Sequence, residues 1–237
     1  MNTPTTELSV LYQDPWVIVV DKPPGVSSQA TRNPNQRHLV EMVGQLLNEQ
    51  GVRDPYVALH HRLDRDTSGA IILAIHPDAN EGLSAAFRNR IAQKTYICVC
   101  DADPLLEFES SWSVTNRVRV HPNRRGRMVE IVRSGGVEAE TDFEVLGRSP
   151  HAIRVQACPH TGRTHQIRVH AEASGIPIVG DPVYRRRRGL FHSRVLLHAH
   201  RLQLPHPVKS GETLDLVAPE PADMREFWAK MVAVDSA

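Results

Sequence analysis

Cysteine is scarce in this 237-residue chain, and Cys98, Cys100 and Cys158 form neither a paired framework nor a CxxC motif. That excludes a disulfide-stapled scaffold and a thiolate metal knuckle. Cys98 and Cys100 stand two apart in a strand-like run, so they share a face and are expected as buried free thiols. Long apolar runs are missing too: nothing approaches a membrane span, and Met1-Asn2-Thr3-Pro4-Thr5-Thr6 lacks a signal-peptide core. No Gly/Ser-rich linker, low-complexity tract or internal repeat divides the chain. These absences suit a reducing cytoplasm and predict no membrane partner, and a monomer is expected. A single domain is expected over 1–237, with a core over about 8–220 and a closing helix at 221–233.

What is present can fold. An apolar content of 41% suffices for one substantial core, or for a core divided by a cleft. Strand patterns cover Leu8 to Leu11, Val17 to Asp21, Val57 to Leu59, Ala70 to Ile75, Thr95 to Cys100, Ser113 to Val120, Thr141 to Leu146, Ala152 to Ala157 and Val195 to Leu204. Helical spacing covers Gln36 to Glu49 before Gly51, Asp78 to Asn89, Thr164 to Ala173 before Gly175, and Pro221 to Ala233. Strands outnumber helices, and the connections are too irregular for repeated βαβ units. The fold class is therefore α+β, with a mixed, mostly antiparallel sheet and flanking helices.

A net charge of +1 argues neither for nor against a polyanion, but its distribution is uneven. Arg117, Arg119, Arg124, Arg125, Arg127 and Arg133 face the single acid Glu130 within their span, and Arg185, Arg186, Arg187 and Arg188 form a second run. Acids collect at Glu212, Asp215, Glu220, Asp223 and Glu226. Segregation of this kind suits a soluble protein that binds a phosphate backbone, and the guanidinium fork favours phosphate contact. A solvated basic loop is the commoner use of such a run.

One loop concentrates chemistry: His61-Arg62-Leu63-Asp64-Arg65-Asp66-Thr67-Ser68-Gly69, between two apolar runs. It sets the Asp64 carboxylate between arginines, where it can be ionised, aimed and partly desolvated. Asp66 falls on the same side as Asp64 in an extended loop, but a turn role is expected for it. Alone, the loop is also compatible with an ordinary charged turn. Three other segments accompany it. Lys94-Thr95-Tyr96 opens a strand with a phenol ring. Thr161-Gly162-Arg163-Thr164-His165-Gln166-Ile167-Arg168-Val169-His170 leads a turn into a helix that can hold an arginine on its inner face. Leu196 to Leu202 is an apolar strand with polar residues on one side. Thirteen histidines raise the possibility of a metal, but His165 and His170 lie five apart, out of register on a helix, and His60-His61 has no partners to complete a shell. Loop or phosphate hydrogen bonds are expected of His61 and His165.

In these segments the chain resembles the RluA-type pseudouridine synthases. The matching pieces run in the family's order: Asp21-Lys22-Pro23-Pro24-Gly25, His61 through Gly69, Lys94-Thr95-Tyr96, Gly162 through His170, Gly180-Asp181-Pro182-Val183-Tyr184 and Leu197-His198-Ala199. The resemblance implies a catalytic domain with a central catalytic cleft, acting on uridines in transfer RNA and/or ribosomal RNA without metal or organic cofactor. It implies Asp64 as the catalytic aspartate, Tyr96 as the ring that stacks on the target base, and Arg168 as the arginine paired with the aspartate. Arg62 would enter the gap left by the flipped nucleotide. RNA contacts are expected from His61, Arg163 and His165, and from Arg124, Arg125, Arg127, Arg185, Arg186 and Arg187.

One carboxylate can suffice for such a reaction. Uracil leaves with its charge spread over two carbonyls, so the second carboxylate of a glycosidase is not needed. Water must be kept out, because captured water would turn isomerisation into base loss. Attack on the sugar carbon and removal of a proton there are both open to Asp64. The chain departs from the family at Val26-Ser27-Ser28-Gln29-Ala30, where many relatives carry a hydrophobic-His-Pro stretch. The core also begins almost at the first residue, which predicts a short form without the amino-terminal RNA-binding domain of many relatives. Two other classes remain: a non-catalytic RNA-binding protein or chaperone with the same fold, and a nucleoside glycosidase. Steep salt dependence of binding would separate a phosphate-reading protein from the latter.

Overall fold

The structure is a computed structural model and describes residues 8–31, 33, 36–103, 109–122, 128–185 and 189–233. It divides into two compact units, one made of residues 1–92 and 201–219, the other of 93–200 and 220–237.

The first unit is built on strands β1 (Ser9–Gln13), β2 (Val17–Lys22), β3 (Ala58–Leu59) and β4 (Ser68–Ala74), with helices α1 (Leu39–Glu49) and α2 (Ala79–Arg88). β2 pairs antiparallel with β1 and with β4, and β3 pairs with the end of β4. All seven residues of β4 are buried, which accounts for its continuous apolar run rather than an alternating one. Val17, Val19, Ile72, Leu83, Leu202, Leu214 and Leu216 pack together as this unit's core. α1 buries Leu39, Met42, Val43 and Leu47, the stripe that the spacing predicts, and Gly51 turns the chain out at φ +90°. The β1–β2 turn is closed by Asp14, whose Oδ1 accepts the N–H groups of Trp16 (2.8 Å) and Val17 (2.9 Å). Its Oδ2 accepts from His206 Nε2 at 2.6 Å, while His206 Nδ1 accepts the N–H groups of Val208 and Lys209. Burial alone would raise the Asp14 carboxyl, but His206, the two backbone donors and the Tyr12 hydroxyl outweigh it and hold the pKa at about 2.

The second unit orders its strands β5 (Gln93–Asp101), β9 (Ala152–Pro159), β8 (Val137–Arg148), β6 (Ser111–Val120) and β7 (Val129–Val132), all antiparallel. Helices α3 (Gln166–Ala173) and α4 (Ala222–Ala233) belong to it. Ile167 and Ala171 of α3 join Cys98, Cys100, Phe143 and Val155 in one core cluster. Both strand cysteines are buried free thiols, as their spacing suggested. β10 (Leu197–Pro205) begins in this unit and ends in the first, where Arg201–Pro205 pair with β11 (Thr213–Val217).

The α+β class and the antiparallel pairing agree with the sequence reading. Two strands were not anticipated: β7, which lies inside the arginine-rich stretch, and β11, which lies among the acids. α3 starts at Gln166 rather than Thr164, because His165 adopts a left-handed φ of 54° that an α-helix does not admit. Among the described residues no helix is long and apolar enough to cross a membrane.

Candidate active site

In the first unit the Asp64 loop is a short connection between the end of β3 and the fully buried β4. Asp64 is half-buried, and its carbonyl accepts the Thr67 N–H at 3.2 Å, a tight turn. The peptide groups on either side are gripped from the β2 end. Lys22 is fully buried, and its ammonium donates to the carbonyls of Pro23 (3.0 Å), Val26 (2.9 Å) and Arg65 (3.0 Å). Gly25 N–H donates to the same Arg65 carbonyl at 2.9 Å. A buried ammonium costs several kcal/mol unless its donors are met, and here three carbonyls meet them. On the other side Ser28 contacts the backbone of Leu63.

The neighbours of Asp64 have other engagements. Arg65 directs Nε (2.9 Å) and Nη2 (3.1 Å) onto Asp66, which accounts for both charges in the turn and supports the turn role expected of Asp66. Arg62 is exposed. His61 Nε2 accepts the Ile72 N–H at 3.1 Å, and its ring stacks on Phe87 at 4.3 Å, so this histidine staples the loop to β4. His60 bridges Ser84 Oγ and Asn80 Oδ1, each at 2.9 Å.

In the second unit Tyr96 is half-buried on β5, opposite Ala157 of β9. Arg168 is buried on α3, and its guanidinium meets Asp181 side-on, Nε to Oδ2 at 2.6 Å and Nη2 to Oδ1 at 2.9 Å. Asp181 is fully buried, and its Oδ1 also accepts the N–H groups of Val183 (2.8 Å) and Tyr184 (3.1 Å). Tyr184 lies 5.3 Å below the guanidinium carbon, and its hydroxyl is tied to Val129 and to His165 Nδ1. The Gly180 to Tyr184 segment is thus a seat for Arg168. Gly180 is obligatory in it: φ is +77°, and a Cβ there would stand 1.9 Å from the Arg194 carbonyl oxygen. The turn before α3 is locked by Gln166, whose Oε1 accepts from Thr161 (2.6 Å) and from the Arg163 N–H (3.0 Å), while its Nε2 donates to Glu140 O and Thr141 Oγ1. His170 is buried between Thr141 Oγ1 and Asn116 Oδ1, and burial pushes its pKa down to about 4. Among the described residues no three His, Cys, Asp or Glu side chains cluster as a metal shell.

The family profile described as RNA pseudouridylate synthase matches residues 16–173. The chain belongs to this family. The uncharacterised RNA pseudouridine synthase YhcT of Bacillus subtilis is 32% identical over 225 residues, 93% of this chain and 71% of that protein. Ribosomal large subunit pseudouridine synthase C of Vibrio cholerae is 33% identical over 252 residues, 96% of this chain and 73% of that one. The solved structure of human RNA pseudouridylate synthase domain containing 4 superposes with a TM-score of 0.77 at 26% identity, covering 94% of this chain and 92% of that one. The chain is thus an RNA pseudouridine synthase, an isomerase acting on RNA, of the RluA type that the motifs resemble.

The basic runs of this synthase fare unevenly. Arg124, Arg125, Arg127, Arg186, Arg187 and Arg188 lie outside the described residues. Arg185 is exposed. Arg163 is exposed, with Nε donating to the Glu138 carbonyl. Arg117 donates to the carbonyls of Gly135 and Gly136, and Arg119 pairs with Glu130, so both brace the β6–β7–β8 region. Four of the five acids gathered near the end of the sequence meet a cation of their own unit. Asp215 forks onto Arg201, Glu212 lies near Lys209, Glu220 pairs with Arg154, and Asp223 forks onto Arg194. Lys22, Ser28, Asp181, Tyr184 and Gln166 are the residues that sequence reasoning left without a role. The quoted motifs contain four of the five, but buried hydrogen-bonded polar groups leave no periodic signal.

Proposed function

We propose that this synthase converts uridines of structured ribosomal or transfer RNA, with Asp64 as its catalytic carboxylate, Tyr96 stacking on the extruded base and Arg168 as the cation partnering the aspartate. The observation that carries the reading is the grip on the Asp64 loop. Backbone groups before and after one carboxylate are held by buried side chains, while the neighbouring carboxylate, Asp66, is occupied by Arg65. An aspartate held so acts without reorganising first, which is where preorganised sites gain most of their rate. Arg168 is suited to its part because Asp181 and the Tyr184 ring fix the plane of its guanidinium.

The uridine must be unstacked before the reaction, at a cost of a few kcal/mol (~2–4). Exposed Arg62 is suited to fill the vacated space. Arg163, Arg185, His61, His165 and the arginines at 124, 125, 127, 186 and 187 are assigned to RNA contact. The names of the similar ribosomal large subunit synthases make ribosomal RNA the first pool to test. The protein is taken to work as a monomer in the cytoplasm, without cofactor.

Tritium release from RNA transcripts labelled at uridine carbon 5 tests the reading. Wild type should release tritium from ribosomal or transfer RNA, and Asp64→Asn should bind the same RNA and release none. Multiple turnover by Asp64→Asn would remove the aspartate from the mechanism. Tight, salt-sensitive binding without release by wild type would favour a non-catalytic RNA-binding protein.

A further inference from the structure

The segment that departs from the family pattern, Val26 to Ala30, makes one contact with the Asp64 loop that nothing in the motifs anticipates. Ser28 is 5% exposed, and its hydroxyl lies between the two backbone groups of Leu63. It donates to the Leu63 carbonyl at 2.7 Å and accepts the Leu63 N–H at 3.1 Å. Leu63 is itself buried and directly precedes Asp64. The segment carrying Ser28 is anchored, because Ser27 bridges to His38 and its carbonyl accepts the Leu39 N–H at 2.9 Å, at the start of α1. On the far side of Asp64, the Arg65 carbonyl is held by Lys22 and Gly25. Asp64 is therefore the residue between two fixed neighbours, and its Cα–Cβ bond has little freedom of direction.

We propose that Ser28 is a positioning residue for the isomerisation, acting through the backbone of Leu63 to set the direction of the Asp64 carboxylate. The inference rests on the reading of Asp64 as the catalytic group. A hydroxyl is suited to the task because one small group both donates and accepts. Without it, a buried N–H and a buried C=O lose their partner together, and the loop shifts to recover one. Displacements of about an ångström at a reacting group are enough to slow a reaction by about a hundredfold.

The test compares Ser28→Thr with Ser28→Val, which share a shape and differ only in the hydroxyl. Single-turnover rate at saturating enzyme, Kd for the RNA and thermal midpoint are measured for each, with Asp64→Asn alongside. Ser28→Val should lose about ten- to a hundredfold in single-turnover rate. Its Kd should stay within about twofold of wild type, and Ser28→Thr should keep a rate within about threefold. Equal rates in the two variants, or a Val defect that appears in Kd rather than in rate, overturn the proposal. If the branched side chains prevent folding, Ser28→Ala decides below its own melting transition: a slowed rate at unchanged Kd supports the proposal, and a wild-type rate overturns it. Product from Asp64→Asn would instead defeat the reading of Asp64. A dead Asp64→Asn beside a fully active Ser28→Val defeats the role of Ser28 alone.

Discussion

The two units hold their charged groups by different means. In the first, neutral hydroxyl, amide and buried ammonium donors fix the peptide groups flanking Asp64. In the second, the guanidinium of Arg168 is itself clamped by a buried carboxylate and lies over an aromatic ring. The placement of Asp64 depends on several donors that grip the peptide groups on either side of it. A group fixed through an ion pair depends on that pair. The second unit should thus be the more fragile to a single substitution, and the first the more fragile in rate.

The largest effect is expected at Asp181. Asp181→Ala takes the Asp181 carboxylate from the buried Arg168 guanidinium and also frees the N–H groups of Val183 and Tyr184. Breaking a buried pair from one side costs about 3–5 kcal/mol. Urea unfolding should show that loss, and a change under about 1 kcal/mol would undo the contrast drawn between the units. Lys22→Met in the first unit should cost less, about 1–3 kcal/mol, because removing the ammonium also removes its desolvation penalty. Its isomerisation rate should fall further than its stability, which single-turnover assays at a temperature well below the melting transition will show.

Acid separates the units next. His170 has a folded pKa of about 4 against an ordinary 6.5, so the unfolded chain takes up the proton first as pH falls. Its contribution is present above pH 6.5 and lost progressively down to about 4, on the order of 2 kcal/mol by pH 5. Asp14 is shifted the other way relative to its charge, from 3.8 to about 2. Its contribution to the first unit is present above 3.8 and lost only as pH falls from there through 2. Between pH 7 and 4.5, amide exchange corrected for intrinsic rates should show β8 and α3 losing protection before β1 and β2. His170→Gln should abolish that difference. Equal loss in both units would show that His170 does not control it.

The sequence carried the elements of both units and the chemistry of one loop. Amphipathic spacing placed α1 and α2, and the apolar run of β4 was plain because the whole strand is buried. β7 was hidden because Val129–Val132 is only four residues long and sits among arginines, and β11 because the pattern of Thr213–Val217 lies among charges that read as surface. Asp64 stood out as a carboxylate between two arginines, whereas Tyr96 and Arg168 were readable only as parts of a family pattern. What holds them was not, since Lys22, Ser28 and Asp181 act through contacts with residues 43, 35 and 13 positions away. A polar residue that ends up buried looks like any surface residue until its partners are known. The acids of the closing segment show the converse, a charge cluster in sequence of which Glu212, Asp215, Glu220 and Asp223 meet cations in the fold.

The smallest effect on stability should come from Tyr96. Tyr96→Ala should weaken RNA binding by about 1–3 kcal/mol through lost stacking and slow turnover as well. Tyr96→Phe keeps the ring, so its Kd should match wild type while the rate falls. The pair sharpens the contrast because Tyr96 lies on a paired strand of the second unit, where backbone hydrogen bonds to β9 hold it whichever ring it bears. Neither variant should therefore approach the stability loss of Asp181→Ala. Binding titrations and single-turnover rates on both variants decide it. Full activity in both would take Tyr96 out of the mechanism and leave Arg168 as the second unit's one proposed contribution to the chemistry.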